Sequence, residues 1–342
     1  MYIHKQCCIA PQPITNGGWP EAIASSAEGK MIAIEPVLEG VPPGMLRRMS
    51  KAVRMGIGAG LPLIKDTAPD GIIIGTANGG MEDCIKFLNQ IIDYDEGMLT
   101  PGNFVQSTPN AIAGQLSLIK KNHNYNATHV HLGLAFENAL IDAKMLLNGK
   151  PGNTYLVGAV DEISTYNYNI DRLAGWYDPK LNNTDLYTSA HTGTIAGEGA
   201  ALFLLKGIAE GALAKIAIIE TLHTTDPQLV TARLGSFLEE WPPTKNTILL
   251  SGENGDTRFG SFYDAVEKQC ALMPVLRFKH LTGEHPTAVS FAVWLAANWA
   301  GDHRPPAVLL KKGALPEAVD QVLIYNNYHG KQHSFILVSK PR

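Results

Sequence analysis

A short apolar run that turns directly into a helix with almost no polar side constrains this chain most. Ala127 to Leu132 reads as a strand, and the helix expected from Leu134 to Leu147 carries Leu134, Ala135, Ala139, Ile141, Ala143 and Leu146 before Gly149 ends it. A helix with so little polar face is a buried one. The same order of strand, turn and helix occurs at Gly71–Thr76, which is β-branched and runs through Ala77-Asn78-Gly79-Gly80 into Met81–Ile92, apolar at helical spacing. Further strands are expected at Thr154–Val160, Ala200–Leu205, Ala214–Glu220, Thr247–Ser251, Val322–Tyr325 and Ser334–Val338. Buried aliphatic strands alternating with helices predict an α/β fold.

Composition agrees with a packed core. Of 342 residues, 45% are hydrophobic and only 18% charged, against roughly 25% charged in an average globular domain, which excludes disorder. A formal net charge of −4 argues against a nucleic-acid partner. No apolar stretch approaches the roughly 18 residues of a membrane span, and Met1 to Gly18 lacks the pattern of a signal peptide, so the expected location is the cytoplasm. The chain divides near Gly207 into residues 1–206 and 207–342, each alternating strands with helices within a continuous fold. Loops are expected at Trp176–Ala190 and Trp241–Asn246.

Cys7, Cys8, Cys84 and Cys270 show no CxxC spacing and read as reduced thiols, mostly buried. His129 and His131, one residue apart on the expected strand, point the same way; they are either two metal ligands or structural residues, and no third Cys, Asp or Glu stands beside them.

Four segments, in order, carry a resemblance. Ser107-Thr108-Pro109-Asn110-Ala111-Ile112-Ala113-Gly114-Gln115 resembles the S-x-x-N-x-x-A-G stretch of β-ketoacyl synthases, and Gly193-Thr194-Ile195-Ala196-Gly197-Glu198-Gly199-Ala200-Ala201 their G-F-V-x-G-E-G-A motif. Lys279-His280-Leu281-Thr282-Gly283 is similar to the K-S-x-T-G that introduces a catalytic His, and Asn327–His333 stands where the family has F-G-F-G-G-x-N. The resemblance spans nearly the whole chain and implies a thiolase-like layered α/β fold of two related halves.

The family's reaction needs a Cys on a tight strand-to-helix turn, where the helix N-terminus lowers its pKa and backbone N–H groups hold the oxyanion. Aligned through Ala139-Leu140-Ile141-Asp142-Ala143, Gly133 falls at that Cys position, and no thiol lies nearby in sequence. The first family His aligns with Asn254, with Asp256 as the other match; at the second, Glu284 takes the position and His285 follows it, a possible base. Lys279 is retained. Glu284 is open to three readings: a solvated loop carboxylate, a pocket residue bonded to Lys279, or a general base. His329, in the place of a gating Phe, is loop surface or pocket lid, and Phe136 is core or tunnel wall. Gly197 and Gly199 permit close backbone packing whatever the protein binds.

Retained scaffold motifs without a nucleophile resemble the chain-length-factor subunits that pair with a competent ketosynthase. Lys279–Glu284 and the junction before Phe136-Glu137 look most like the ketosynthase-like partners of aryl-polyene and flexirubin pigment synthesis. The resemblance implies a subunit, itself non-catalytic, that lends one wall of an acyl tunnel during polyketide or fatty-acid-type extension of chains on an acyl carrier protein. No cofactor or metal is implied. Two alternatives remain: an enzyme acting on malonyl or other thioesters through Glu284 or His285, and a dimer scaffold with a closed pocket. Two structural expectations follow: a large dimer interface at Ser107–Gln115, and a narrow remnant cavity flanked by Gly133, Asn254, Glu284 and His329 with Glu284 paired to Lys279.

Overall fold

Most of the aliphatic runs that mark strands in sequence are buried in the computed structural model, which describes residues 1–13, 23–38, 40–300 and 303–341. Residues 14–18 of the start, where no signal pattern is read, lie outside these. Ten strands form the frame: β1 Tyr2–Ile9, β2 Gly71–Gly75, β3 Tyr125–His129, β4 Thr154–Asp161, β5 Gly199–Lys206, β6 Ala214–His223, β7 Thr247–Ser251, β8 Val275–Arg277, β9 Gln321–Tyr328 and β10 Gln332–Ser339. The first five are ordered β3-β2-β4-β5-β1 and the second five β8-β7-β9-β10-β6, which is one order used twice. In both sets the first two pairings from the edge are parallel and the next two antiparallel. β1 and β6 join the sets through Tyr2↔Lys215 and Ile3↔Ala214, and Leu310–Lys312 adds a short strand beyond β8.

The helices repeat as well. α1 Lys51–Gly60 follows β1, α2 Met81–Asp93 and α3 Ala111–Lys120 follow β2, α4 Ala135–Gly149 follows β3, and α5 Thr165–Leu173 follows β4. In the second set α6 Pro227–Glu240 follows β6, α7 Gly260–Gln269 follows β7, and α8 Val289–Ala300 follows β8. One core contains α4 and α8 together with Ile73, Val157 and Phe203 from the first sheet and Ile248, Ile324 and Ile336 from the second, so these two helices lie between the sheets. Separate cores cover the outer faces, with Val53, Ile57, Ile112 and Leu116 of α1 and α3 on one and Val230, Leu234, Phe262 and Val266 of α6 and α7 on the other. Helix and sheet thus alternate in five layers, and parallel strands buried on both faces account for the unbroken aliphatic runs.

Two glycine contacts position the functional region. A Cβ on Gly75 of β2 would come within 2.6 Å of the Ala135 carbonyl, so this glycine lets α4 begin directly against the sheet. Gly197 faces Gly283 so closely that its Cβ would lie 2.0 Å from the Thr282 carbonyl. Across that contact Gly197 N–H donates to Glu284 O at 2.9 Å and Glu284 N–H to Ile195 O at 2.7 Å. The two sequence motifs that contain these glycines are therefore halves of one joint. Glu198 braces it: its carboxylate pairs with Lys51 and accepts from the N–H groups of Ala33 (2.8 Å) and Ile163 (3.0 Å).

Candidate functional site

The strand expected at Ala127–Leu132 ends at His129, because Val130, His131 and Leu132 leave the sheet as an exposed turn into α4. Within this turn Leu132 has φ 48°, in the left-handed region that a γ-branched L-residue enters only at a cost of about 1–2 kcal/mol. A strained residue on a sharp strand-to-helix turn is the backbone form that presents a nucleophile. The strained position belongs to Leu132, one residue before the Gly133 expected from sequence. Gly133 instead packs against β9, and a Cβ there would lie 2.3 Å from Cβ of Tyr328. Its N–H donates to Gln332 Oε1 at 2.8 Å, while Gln332 Nε2 reaches His131 O at 3.4 Å. The turn is thus clamped from β10, with Gly133 covered by Tyr328, and it carries neither thiol nor hydroxyl. Cys7 and Cys8 lie on β1, Cys84 in α2 and Cys270 just after α7; burial raises the thiol pKa of Cys7 and Cys8 and pushes that of Cys270 up to about 12.

Three of the expected site residues meet in the second half. Lys279 and Glu284, 0% and 2% exposed, are joined by an Nζ to Oε1 contact of 2.5 Å, and Asn254 Nδ2 donates to Glu284 Oε2 at 2.8 Å. Asn254 is fixed in turn, its carbonyl accepting from Thr194 Oγ1 at 2.5 Å and its Oδ1 from Asp256 N–H at 3.2 Å. Both Glu284 oxygens are therefore occupied. The side chain is not a solvated loop carboxylate. Asp256, the other match for the first His, caps a turn and holds Arg258 through contacts of 2.9 and 3.0 Å to Nε.

His285 turns away from this trio. Its Nδ1 lies 3.3 Å from Thr287 Oγ1 and its Nε2 3.4 Å from Thr282 Oγ1, and Thr287 donates to Asp161 at 2.8 Å. With the Thr287 proton directed to Asp161, the Nδ1 contact is made by a ring N–H. Burial, reinforced by Lys279, lowers the pKa of His285 to about 3, so the ring is neutral at physiological pH and a poor proton acceptor. His329 stands at φ 53° and is sandwiched between Trp176 (3.8 Å between ring centroids) and Tyr328 (4.0 Å), with Arg258 over Trp176. Burial and then Arg258 lower its pKa to about 4. Phe136 is fully buried against Phe203 at 5.9 Å and belongs to the core between the sheets, so it forms no wall at the turn. His129 and His131 do not converge: His129 bonds Asp142 at 2.9 Å, whereas His131 lies beyond the strand on the exposed turn.

The residue least visible in sequence is Glu137. It is fully buried in the first turn of α4, and neither carboxylate oxygen has a hydrogen-bond partner. Ser334 Oγ, opposite Asn326 on β10, lies close without reaching bonding geometry, and Lys279 contributes attraction from nearby. Burial dominates and raises its pKa to about 7. An acidic residue at a helix start ordinarily reads as a solvated dipole partner, which hides a buried one.

Residues 19–172 match the family model described as the β-ketoacyl synthase N-terminal domain. No curated protein matches the chain. Among solved structures, a β-ketoacyl synthase from Burkholderia phymatum STM815 is similar at 14% identity and TM-score 0.73, covering 100% of this chain and 99% of that one. The ishigamide ketosynthase/chain length factor is similar at 16% identity and TM-score 0.70, with coverage of 100% and 99%. A type II polyketide synthase acyl-carrier protein in complex with its ketosynthase bound to the hexaketide gives 14% identity, TM-score 0.70 and coverage of 99% and 98%. The five-layer frame and the repeated strand order accord with these likenesses: the chain has the thiolase-like fold of the β-ketoacyl synthases, and residues 19–172 are similar to their N-terminal domain.

Proposed function

We propose that this protein is a non-condensing subunit of the chain-length-factor type, which pairs with a competent ketosynthase and shapes the space in which a carrier-bound acyl chain grows. The observation that carries the reading is the turn at Leu132 and Gly133: its backbone has the form that presents a nucleophile, but its side chains supply none. The charged trio supports it, because a buried carboxylate bonded to both Lys279 and Asn254 is committed to internal partners. One relative in fold is itself a ketosynthase/chain length factor. Aryl-polyene or flexirubin synthesis is the finer assignment, resting on the Lys279–Glu284 and Phe136-Glu137 segments. Equal strand order supports reading residues 1–206 and 207–342 as two copies of one unit.

Pairing has a surface to use. β3 is an edge strand, Asn110 is tied to it by Thr128 at 2.8 Å, and exposed Val130 and Leu132 follow directly on it. Unpaired edges and exposed apolar side chains mark an interface, which is the role proposed for Ser107–Gln115. A second reading, the closed scaffold, is favoured by Tyr328, which fills the space over Gly133 in the expected cavity. Among the described residues no helix is long and apolar enough to cross a membrane.

Co-expression with the ketosynthase of the same system tests the proposal. The expected result is a co-purifying pair that extends malonyl units on an acyl carrier protein, with neither subunit active alone. Condensation by this protein alone would overturn it. A pair whose product length is unchanged by substitutions at Leu132 or Tyr328 would favour the scaffold.

A further inference from the structure

On the outer face of the first half, the C-terminal ends of α1 and α3 leave a groove of about 580 Å³, within the size range of small-molecule sites. Its apolar wall is made mainly by Val37, Leu38, Ile57, Leu61, Pro62 and Ile119, and Val37 is 89% exposed. Among the described residues, the charged groups that line it are Lys65 and Lys120. Both also line an adjoining polar cleft of about 620 Å³ that adds Lys121 and His123, with Asp66 as its single carboxylate. The two concavities therefore meet at a pair of lysines, apolar on one side and basic on the other. Lys120 spends one donor on the Lys65 carbonyl at 3.0 Å and keeps the rest for an incoming acceptor.

We propose that this groove binds a single-chain amphiphile with an anionic head, of the fatty-acid class, its carboxylate at Lys65 and Lys120 and its alkyl chain along Leu38, Leu61 and Ile119. Charge complementarity selects the head, since two lysines repel a cation and hold an anion more strongly than a neutral acceptor. The grouping of the cations at one end selects a chain with one charged terminus over an acidic amphipathic helix, whose charges would need partners along its length. The site lies apart from Leu132 and the Glu284 trio, sharing no lining residue with them, and does not rest on the paired-subunit reading.

Calorimetric titration of the full chain with sodium dodecanoate, kept below its micellar concentration, tests this. Saturable binding to one site is expected, weakened about tenfold or more by Lys65→Glu with Lys120→Glu and lost in Leu61→Asp, while dodecyltrimethylammonium fails to compete. The paired lysine change is confined to the surface, so it keeps the test open should Leu61→Asp not fold. Absence of saturable binding, equal affinity in the charge-reversed variant, or equal competition by the cationic detergent would each overturn the proposal. So would displacement of dodecanoate by an acidic amphipathic peptide of higher affinity, which would assign the groove to a polypeptide.

Discussion

The two crossovers that enter the central layer occupy equivalent places in the repeated strand order and have been furnished in opposite ways. Between β3 and α4 the chain makes an exposed turn of Val130, His131 and Leu132, without lysine, arginine or carboxylate and strained at one residue. Between β8 and α8 it makes a buried segment, Lys279 to His285, that holds a lysine, a carboxylate and two imidazoles whose pKa burial lowers. One scaffold thus supports a surface feature in one half and a closed electrostatic core in the other. The first is open to solvent and the second is enclosed by the fold.

If this contrast is correct, the largest effects arise in the second crossover. Lys279→Met leaves Glu284 buried without its cation and is expected to cost about 3–5 kcal/mol in denaturant unfolding. Combining it with Glu284→Gln should recover much of that loss, because Asn254 can still donate to the amide oxygen. A loss below about 1 kcal/mol for the single change would mean that the pair is solvated and the contrast false.

Next in size is Glu137. Its carboxyl titrates near 7 in the folded chain against 4.5 for a free one. A raised carboxyl pKa means that its contribution to stability is fully present below about pH 4.5 and is lost as pH rises toward 7. Glu137→Gln should therefore stabilise the protein by up to about 3 kcal/mol at pH 8 and flatten the unfolding profile between pH 4.5 and 7. A profile that keeps its slope in the variant would assign that slope to another group.

Smaller effects belong to the first crossover. Gly133→Ala should cost about 1–3 kcal/mol through collision with Tyr328, and Tyr328→Ala in the same chain should relieve most of that cost. Leu132→Gly removes left-handed strain and should fall within about 1 kcal/mol of the parent, on the stabilising side. Marked destabilisation by Leu132→Gly would show that the leucine is packed and not presented.

How much of this was legible follows from burial. β2, β4 and β5 are buried along their length and could be read from aliphatic runs, as could α4. β1 could not: Tyr2-Ile3-His4-Lys5-Gln6 mixes polar and apolar residues, although the strand lies between β5 and β6. β3 was displaced toward Val130–Leu132 because those apolar residues look like strand and are exposed, whereas Tyr125 and Asn126 look like loop and pair with β2. That Lys279, Glu284 and Asn254 lie together was legible, but the left-handed φ at Leu132 and the packing of Gly133 were not. That packing depends on Tyr328 and Gln332, whose contact with the turn joins residues far apart in sequence. Glu137 was hidden for the reverse reason, since nothing local distinguishes a buried helix-start carboxylate from a solvated one.

The central claim is that the turn before α4 keeps the form of a nucleophile site without its chemistry. Intact-mass measurement of the isolated protein after exposure to an acyl thioester or a cerulenin-type electrophile tests it most directly. An unchanged mass is the predicted result, with the thiols of Cys7, Cys8 and Cys270 held protonated by burial. Stoichiometric, site-specific labelling of any one cysteine would contradict it.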